Sequence, residues 1–267
     1  MSDRKIGIIG CGNMGSAILA SFVESRKVLS YNIWVYDVSN ERLKTMKEKY
    51  DINIASNSVE LAELCDEIIL AVKPDVVEKV LSEISNKISG SKILISIVAG
   101  KSIDYIKRFI KADAKIIRLM PNTPALIGQG VIAMTAEGPI EDDEFLHIKE
   151  LLTTLGLVVE VDEKYMDAIT GISGSSPAYV FMFIEALADA GVYAGLPRDI
   201  SYQIAAQAVM GSAALVLKTG KHPGVLKDMV CSPGGTTIEA VRELERNGFR
   251  SAVIEAVISC VKKSKTL

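Results

Sequence analysis

The chain has few of the side chains that metal sites and disulfide frameworks require. Its 267 residues include only two histidines, His147 and His222, far apart in sequence, so a histidine-rich metal site is not expected. Four cysteines, Cys11, Cys65, Cys231 and Cys260, are scattered with no C-x-x-C pair. That pattern fits neither a disulfide scaffold nor a zinc site and reads as the reduced thiols of a cytoplasmic protein. Neither sign of charge dominates: 30 basic side chains face 33 acidic ones, for a net charge of -3. No chain-wide basic field is therefore available to recruit nucleic acid or anionic lipid. No uninterrupted apolar run reaches about 18 residues, so no membrane-spanning segment is expected. The charged start, residues 1–5, leads into an apolar stretch broken by Gly7, Gly10 and Gly12, which is too short for a signal peptide. Paired carboxylates suited to hydrolysis, internal repeats and low-complexity segments are also missing.

What remains is a globular composition, 49% hydrophobic and 24% charged. The length suggests about two domains. Residues 1–161 alternate short apolar runs with amphipathic stretches. Strands are expected at Ile6–Ile9, Ile33–Tyr36, 68–72, 93–98, 116–120, 131–134 and 158–161. The first five are rich in β-branched residues and apolar on both faces, as buried parallel strands are. Helical patterns between them complete βαβ units, and hence a doubly wound sheet. From 162 to 267 no strand pattern appears. Helices are expected at 166–172, 177–194, 198–218, 223–230, 237–247 and 249–263, separated by Gly, Pro and Asn turns. Two of them, around 180–184 and 205–217, are apolar nearly all round and must be covered on every side. About 100 residues of helix can hardly do that alone, which points to an intertwined homodimer. Packing against the first domain is the simpler alternative. The fold class is thus α/β, a Rossmann-type sheet followed by an all-α dimerisation domain.

Gly10-Cys11-Gly12-Asn13-Met14-Gly15 fits G-x-G-x-x-G directly after the first strand and at the head of a helix. The first glycine permits a tight turn, the second lets backbone approach a pyrophosphate, and the third lets helix and strand pack closely. The helix N-terminus adds free N–H groups and a partial positive charge. A nicotinamide dinucleotide, NADPH or NADH, is the expected cofactor. Asp37 ends the second strand at about the 20-residue spacing at which an acid meets the ribose 2′-hydroxyl of NAD. Taken alone it favours NADH; otherwise it caps the helix starting near Asn40. Ala71-Val72-Lys73-Pro74, Val98-Ala99-Gly100 and the segment with Asn122 end further strands and belong to the same crevice. Lys73 serves phosphate or substrate there, or is a plain surface lysine.

Two hydroxyl-rich turns mark the helical part. Ser173-Gly174-Ser175-Ser176-Pro177 reads as a Ser N-cap with Pro at the first helical position. It lacks the glycine spacing of a nucleophile elbow. In Ser232-Pro233-Gly234-Gly235-Thr236-Thr237-Ile238-Glu239, Thr236 and Glu239 satisfy a capping box. The glycines expose amides suited to a substrate carboxylate, and Thr237 is free to aim its hydroxyl at the substrate. A well-capped structural helix is the other reading. His222 reads as a turn residue and His147, on an acidic helix, as solvated.

These segments together resemble the pyrroline-5-carboxylate reductase family from end to end. The matching stretches are Ile8 to Gly15, Ala71 to Pro74, Met120 to Ala125, Gly174 to Tyr179 and His222 to Ile238, the Ser232–Thr237 turn being the most specific. The resemblance implies hydride transfer from NAD(P)H to the imine carbon of 1-pyrroline-5-carboxylate, giving L-proline. It also implies that Ser232, Gly234, Gly235, Thr236 and Thr237 hold the substrate carboxylate and that Thr237 meets the ring nitrogen. Thr170 and Ser175 would stand by the nicotinamide and substrate, and Asn57 by the adenosine ribose. A homodimer, in many members a ring of dimers, comes with it. Many members carry an Arg or small hydroxyl residues after the second strand, where this chain has Asp37-Val38-Ser39. Two other readings are a hydroxy-acid dehydrogenase, which wants a Lys or His proton-transfer group in the helical part, and a non-catalytic dinucleotide-binding module.

Overall fold

Ile68 and Leu70 face one side of the sheet and Ile69 the other, and Ile93, Leu94 and Ile95 repeat that alternation on the next strand. The period of two assigns every second strand residue to the same layer of helices. The computed structural model describes residues 4–111 and 113–266; the first three residues of the charged start lie outside them. The strands are β1 (Ile6–Ile9), β2 (Ile33–Tyr36), β3 (Asn53–Ile54), β4 (Glu67–Leu70), β5 (Ile93–Ser96), β6 (Lys115–Met120), β7 (Gly130–Glu137) and β8 (Gly156–Glu160). They form one sheet in the order β3-β2-β1-β4-β5-β6-β7-β8. The first six are parallel, β7 runs antiparallel to β6, and β8 lies parallel to β7.

The first helices are α1 (Asn13–Glu24), α2 (Asn40–Tyr50), α3 (Ser58–Leu64), α4 (Val77–Ile84), α5 (Ile103–Lys107) and α6 (Asp142–Leu152). One face of the sheet packs Ile18, Leu19 and Phe22 of α1, Leu43 of α2 and Ile148 and Leu151 of α6. The opposite face packs Leu61 of α3, Val80, Leu81 and Ile84 of α4, and Ile103 and Ile106 of α5. Each such fully buried side chain stabilises the layer by about 1.5–3 kcal/mol relative to exposure. Gly7 lets α3 approach β1: a Cβ there would stand 2.3 Å from Leu61 Cδ2.

The base of the sheet, where the parallel strands begin, gathers charge. Lys115 Nζ donates to both oxygens of Glu144, at 2.8 and 2.7 Å. Arg4 reaches Glu144 at 3.3 Å and Glu67 at 3.4 Å. His147, expected to be solvated, is half-buried instead, with Nε2 3.4 Å from Glu67 Oε1. Helix α6 crosses this base, so its inner face carries Glu144 and His147 toward these charges while Asp142 and Asp143 of its first turn stay exposed.

The chain divides into two compact units, residues up to Gly174 with those from Cys260 onward, and Ser175–Ser259. The first unit therefore continues past the change of texture at 162. It includes α7 (Met166–Ile169) and a π-helical turn, Thr170–Gly174, and Ser264 Oγ donates to Asp167 Oδ1 at 2.7 Å.

The second unit is helical: α8 (Ser176–Tyr193), α9 (Arg198–Thr219), α10 (Pro223–Val230), α11 (Thr236–Arg246) and most of α12 (Phe249–Ser264). Helices α8 and α9 pack on one another across a short turn, and the missing side chain of Gly191 makes room for Ser201, whose Oγ would lie 2.8 Å from a Cβ there. Few side chains of α8 and α9 are buried, Pro177, Ala188, Ser201 and Ala205 among them. Phe181, Met182, Ile204, Met210 and Leu217 are exposed. By length and composition α9 is apolar enough to cross a membrane. Gln, Ser and Gly interrupt its apolar run, but its alanines keep the average high.

Candidate active site

The three fingerprint glycines do three different jobs. Gly10 has φ +104, and a Cβ there would lie 2.5 Å from the Ala71 carbonyl oxygen. A Cβ on Gly15 would lie 2.0 Å from the Gly10 carbonyl oxygen. Both positions are closed to any side chain, which is how the loop after β1 fits against the loop after β4. A Cβ on Gly12 would meet nothing within 4 Å. Helix α1 starts there, with Gly12 as N-cap, no side chain capping it and no acid in its first turn. Open space before uncapped amides is what a pyrophosphate needs. Ser16 Oγ donates to the Cys11 carbonyl at 2.9 Å and steadies the loop.

Asp37 is buried at the tip of β2, and it does not cap α2; Ser39 does, accepting from the Arg42 amide. The Asp37 carboxylate turns to the glycine loop, where Oδ2 accepts from the Cys11 amide at 2.7 Å and Oδ1 from the Ser39 amide at 2.8 Å. Burial, and then the Asp37 charge, push the Cys11 thiol up to about 12, so it stays a neutral thiol and no nucleophile. Asn57 is the N-cap of α3, its Oδ1 accepting from the Glu60 amide at 2.9 Å. At the other strand tips, Ala71, Val72 and Pro74 are half-buried and Lys73 exposed, Val98 is buried, and Ala99 and Gly100 are half-buried.

Asn122 has a structural duty that its position in a strand-tip loop did not reveal. Its Nδ2 donates to the Ser173 carbonyl at 3.1 Å, and its Oδ1 accepts from the Val131 amide at 2.8 Å. The buried amide thus clamps the π-helical turn to the start of β7. Widened turns of this kind concentrate at functional sites. Thr170 Oγ1 donates back to the Met166 carbonyl at 2.8 Å, while the buried Ser173 Oγ has no partner among the described residues. Arg118 and Glu163 were not anticipated either: they pair at 2.8 Å, and Glu163 also accepts from the Ile103 amide at 2.7 Å. Nothing in local spacing signals a pair so far apart in sequence.

In the second unit, Ser232-Pro233-Gly234-Gly235 forms a turn closed by the Gly235 amide on the Ser232 carbonyl at 3.0 Å, with Gly234 at φ +67. Two capping expectations are corrected here. Gly235, not Thr236, is the N-cap of α11, no side chain caps it, and Glu239 pairs with Arg242 at 3.1 Å instead. Likewise Ser175, not Ser176, is the N-cap of α8, which puts Ser176 first in that helix. The capping box requires its Thr outside the first turn; the glycine pair already supplies the extended residue, so the helix begins one position earlier. Thr236 and Thr237 accordingly stand in the first turn of α11, beside amides that no side chain of this unit occupies. His222 caps α10, its Nδ1 accepting from the Gly224 amide at 3.0 Å.

Two family models match parts of the chain. Residues 163–267 match the family model for pyrroline-5-carboxylate reductase dimerisation, and residues 5–100 match that for NADP oxidoreductase coenzyme F420-dependent. The chain is 49% identical to the pyrroline-5-carboxylate reductase of Escherichia coli K12, over 99% of this chain and 98% of that one. It is 43% identical to the Arabidopsis thaliana enzyme, over 98% and 95%. The solved pyrroline carboxylate reductase of Plasmodium falciparum with NADP bound superposes with a TM-score of 0.91 at 36% identity, covering 100% of this chain and 98% of that one. On these grounds the chain belongs to the pyrroline-5-carboxylate reductase family, an NAD(P)-dependent group of oxidoreductases.

Proposed function

We propose that the family reaction, reduction of 1-pyrroline-5-carboxylate to L-proline, is carried out in this chain by two sets of residues. The residues of the first set, Gly10 to Gly15 with Asp37, Asn57, Ala71 to Pro74, Val98 to Gly100 and Asn122, hold the dinucleotide. The second set, Ser232 and Gly234 to Thr237, holds the substrate carboxylate. The observation that carries this reading is the start of α11: a glycine turn leads into a helix whose first amides are uncapped and whose nearest acid, Glu239, is drawn off to Arg242. A small anionic ligand completes such a terminus.

NAD(P)H supplies the hydride when bound. The residues of this chain then have an undemanding task. A cyclic imine protonates readily, and a hydroxyl suffices to keep that proton on its nitrogen. Thr237 does this, while Thr170 and Ser175 orient the reacting rings. Orientation of that kind is a large part of what an enzyme contributes to a bimolecular step. The test is optical loss of NADH or NADPH on addition of the authentic imine; no imine-dependent loss with either cofactor rejects the assignment.

The helical unit makes the protein a homodimer, and dimers assemble into a ring. The exposed apolar surface of α8 and α9 supports the first step, since a second copy, not lipid, is its natural cover in a cytoplasmic enzyme. Sedimentation of the purified chain tests both steps. A Phe181→Asp variant, charged on the exposed face of α8, is expected to run as a monomer.

A further inference from the structure

The Asp37 carboxylate is fixed before any nucleotide arrives. Its side chain is 6% exposed, and each oxygen already accepts a backbone amide, one from the glycine loop and one from its own turn. β2 cannot shift it away, because the Gly10 amide donates to the Tyr36 carbonyl at 2.8 Å, one residue before Asp37. A ribose carrying hydroxyls at this tip finds an acceptor in place. A ribose carrying a 2′-phosphate finds a buried negative charge that cannot move aside. Arg42 Nη1 lies 3.8 Å from Asp37 Oδ2, and its side chain is 58% exposed. Its charge is directed at Asp37.

We propose that Asp37 makes NADH the dinucleotide this chain prefers, and that the same carboxylate is a positioning residue for the pyrophosphate loop through the Cys11 amide. The inference rests on the cofactor site assigned above, not on the identity of the imine. Its second half has a consequence of its own. Specificity and loop geometry share one side chain, so removing the charge is not free. Asp37→Asn keeps an acceptor for one amide, loses the other contact and releases Arg42 toward a phosphate. Asp37→Ser removes both contacts.

Binding titrations with NAD+ and NADP+, without imine, test this on the full-length protein. The wild type is expected to bind NAD+ more tightly than NADP+ by about tenfold or more, on the order of one close like-charge repulsion between carboxylate and phosphate. In Asp37→Asn that ratio moves toward NADP+ by about tenfold or more, and NAD+ itself binds more weakly. Adding Arg42→Ala to Asp37→Asn takes back part of the shift. Asp37→Ser weakens both nucleotides further than Asp37→Asn does. Equal or tighter NADP+ binding by the wild type overturns the proposal whether or not any variant folds. An unchanged ratio in a folded Asp37→Asn protein overturns it too. A protein that binds NAD+ preferentially but never reduces the imine leaves this inference standing and defeats the proposed reaction instead.

Discussion

Gly15 passes so close to Gly10 that a Cβ on the first would stand 2.0 Å from the carbonyl oxygen of the second. Backbone, not a flexible side chain, fills that space, so the contact cannot be relieved locally. Gly15→Ala should therefore lower stability by about 1–3 kcal/mol or more, seen as a lower midpoint in urea. Gly12→Ala meets no protein atom within 4 Å and should melt like the wild type, yet lose cofactor affinity, because its methyl enters the space kept for phosphate. If both variants melt alike, the division of labour among the glycines is wrong.

Thr237 stands in the uncapped first turn of α11. Thr237→Ala should leave thermal stability nearly unchanged and reduce kcat/KM for the imine by about 1–3 kcal/mol of transition-state stabilisation, the cost of one buried hydrogen bond. Unaltered kinetics would remove the residue from the mechanism.

The two bonds of the Asn122 amide predict a mixed phenotype. Asn122→Ala leaves the Val131 amide and the Ser173 carbonyl without their partner, at about 1–3 kcal/mol for each orphaned group. Asn122→Asp keeps the acceptor for Val131 but turns an anionic oxygen toward the Ser173 carbonyl, so it should retain more stability than Asn122→Ala at acid pH and lose that advantage as the carboxyl ionises. Melting curves across pH check this; coincident curves for the two variants would deny the clamp.

Burial pushes Glu67 up to about 7, against the opposing pull of Arg4, with Asp66 and Glu144 adding to the rise. Burial also lowers His147, as does Arg4, with Glu150 acting the other way. Glu67 thus keeps its proton up to about pH 7, while His147 beside it is uncharged near neutral pH. The native state then holds a proton on Glu67 that the unfolded chain releases from about pH 4.5 upward. Stability from this group is complete below that pH and is lost as pH rises toward 7, by about 3 kcal/mol in all. His147 works in the opposite sense below its ordinary value. Urea unfolding of the wild type and of Glu67→Gln from pH 5 to 8 should show the wild type losing ground to the variant as pH rises. Parallel profiles would mean that Glu67 is ionised throughout.

Most of this architecture was written in local pattern. The β-branched runs announced the central strands, and G-x-G-x-x-G after the first of them announced the nucleotide end. The two-residue β3 escaped because so short a strand has no periodicity to detect. The helix starts at Ser176 and Thr236 were misjudged by one residue: Gly235 already has the extended geometry of a cap, and Ser175 precedes α8 in a helix-like conformation that the capping pattern does not foretell. His147 escaped for a different reason. Its burial depends on Glu67, some 80 residues earlier in the chain, and no spacing rule links a helix face to the foot of a strand. Asn122 and the Arg118–Glu163 pair were hidden for the same reason: they join elements whose neighbourhood only the completed fold creates.

The sheet has opposite chemistry at its two ends. Arg4, Glu67, Lys115, Glu144 and His147 crowd its foot, whereas the fingerprint glycines and their backbone amides stand at its tips. Damage at one end and damage at the other should consequently be told apart by assay alone. Lesions at the foot will surface as heat-sensitive protein that still binds nucleotide normally in the cold. Lesions at tip positions that face open space, such as Gly12, will yield robust protein that has forgotten its ligand.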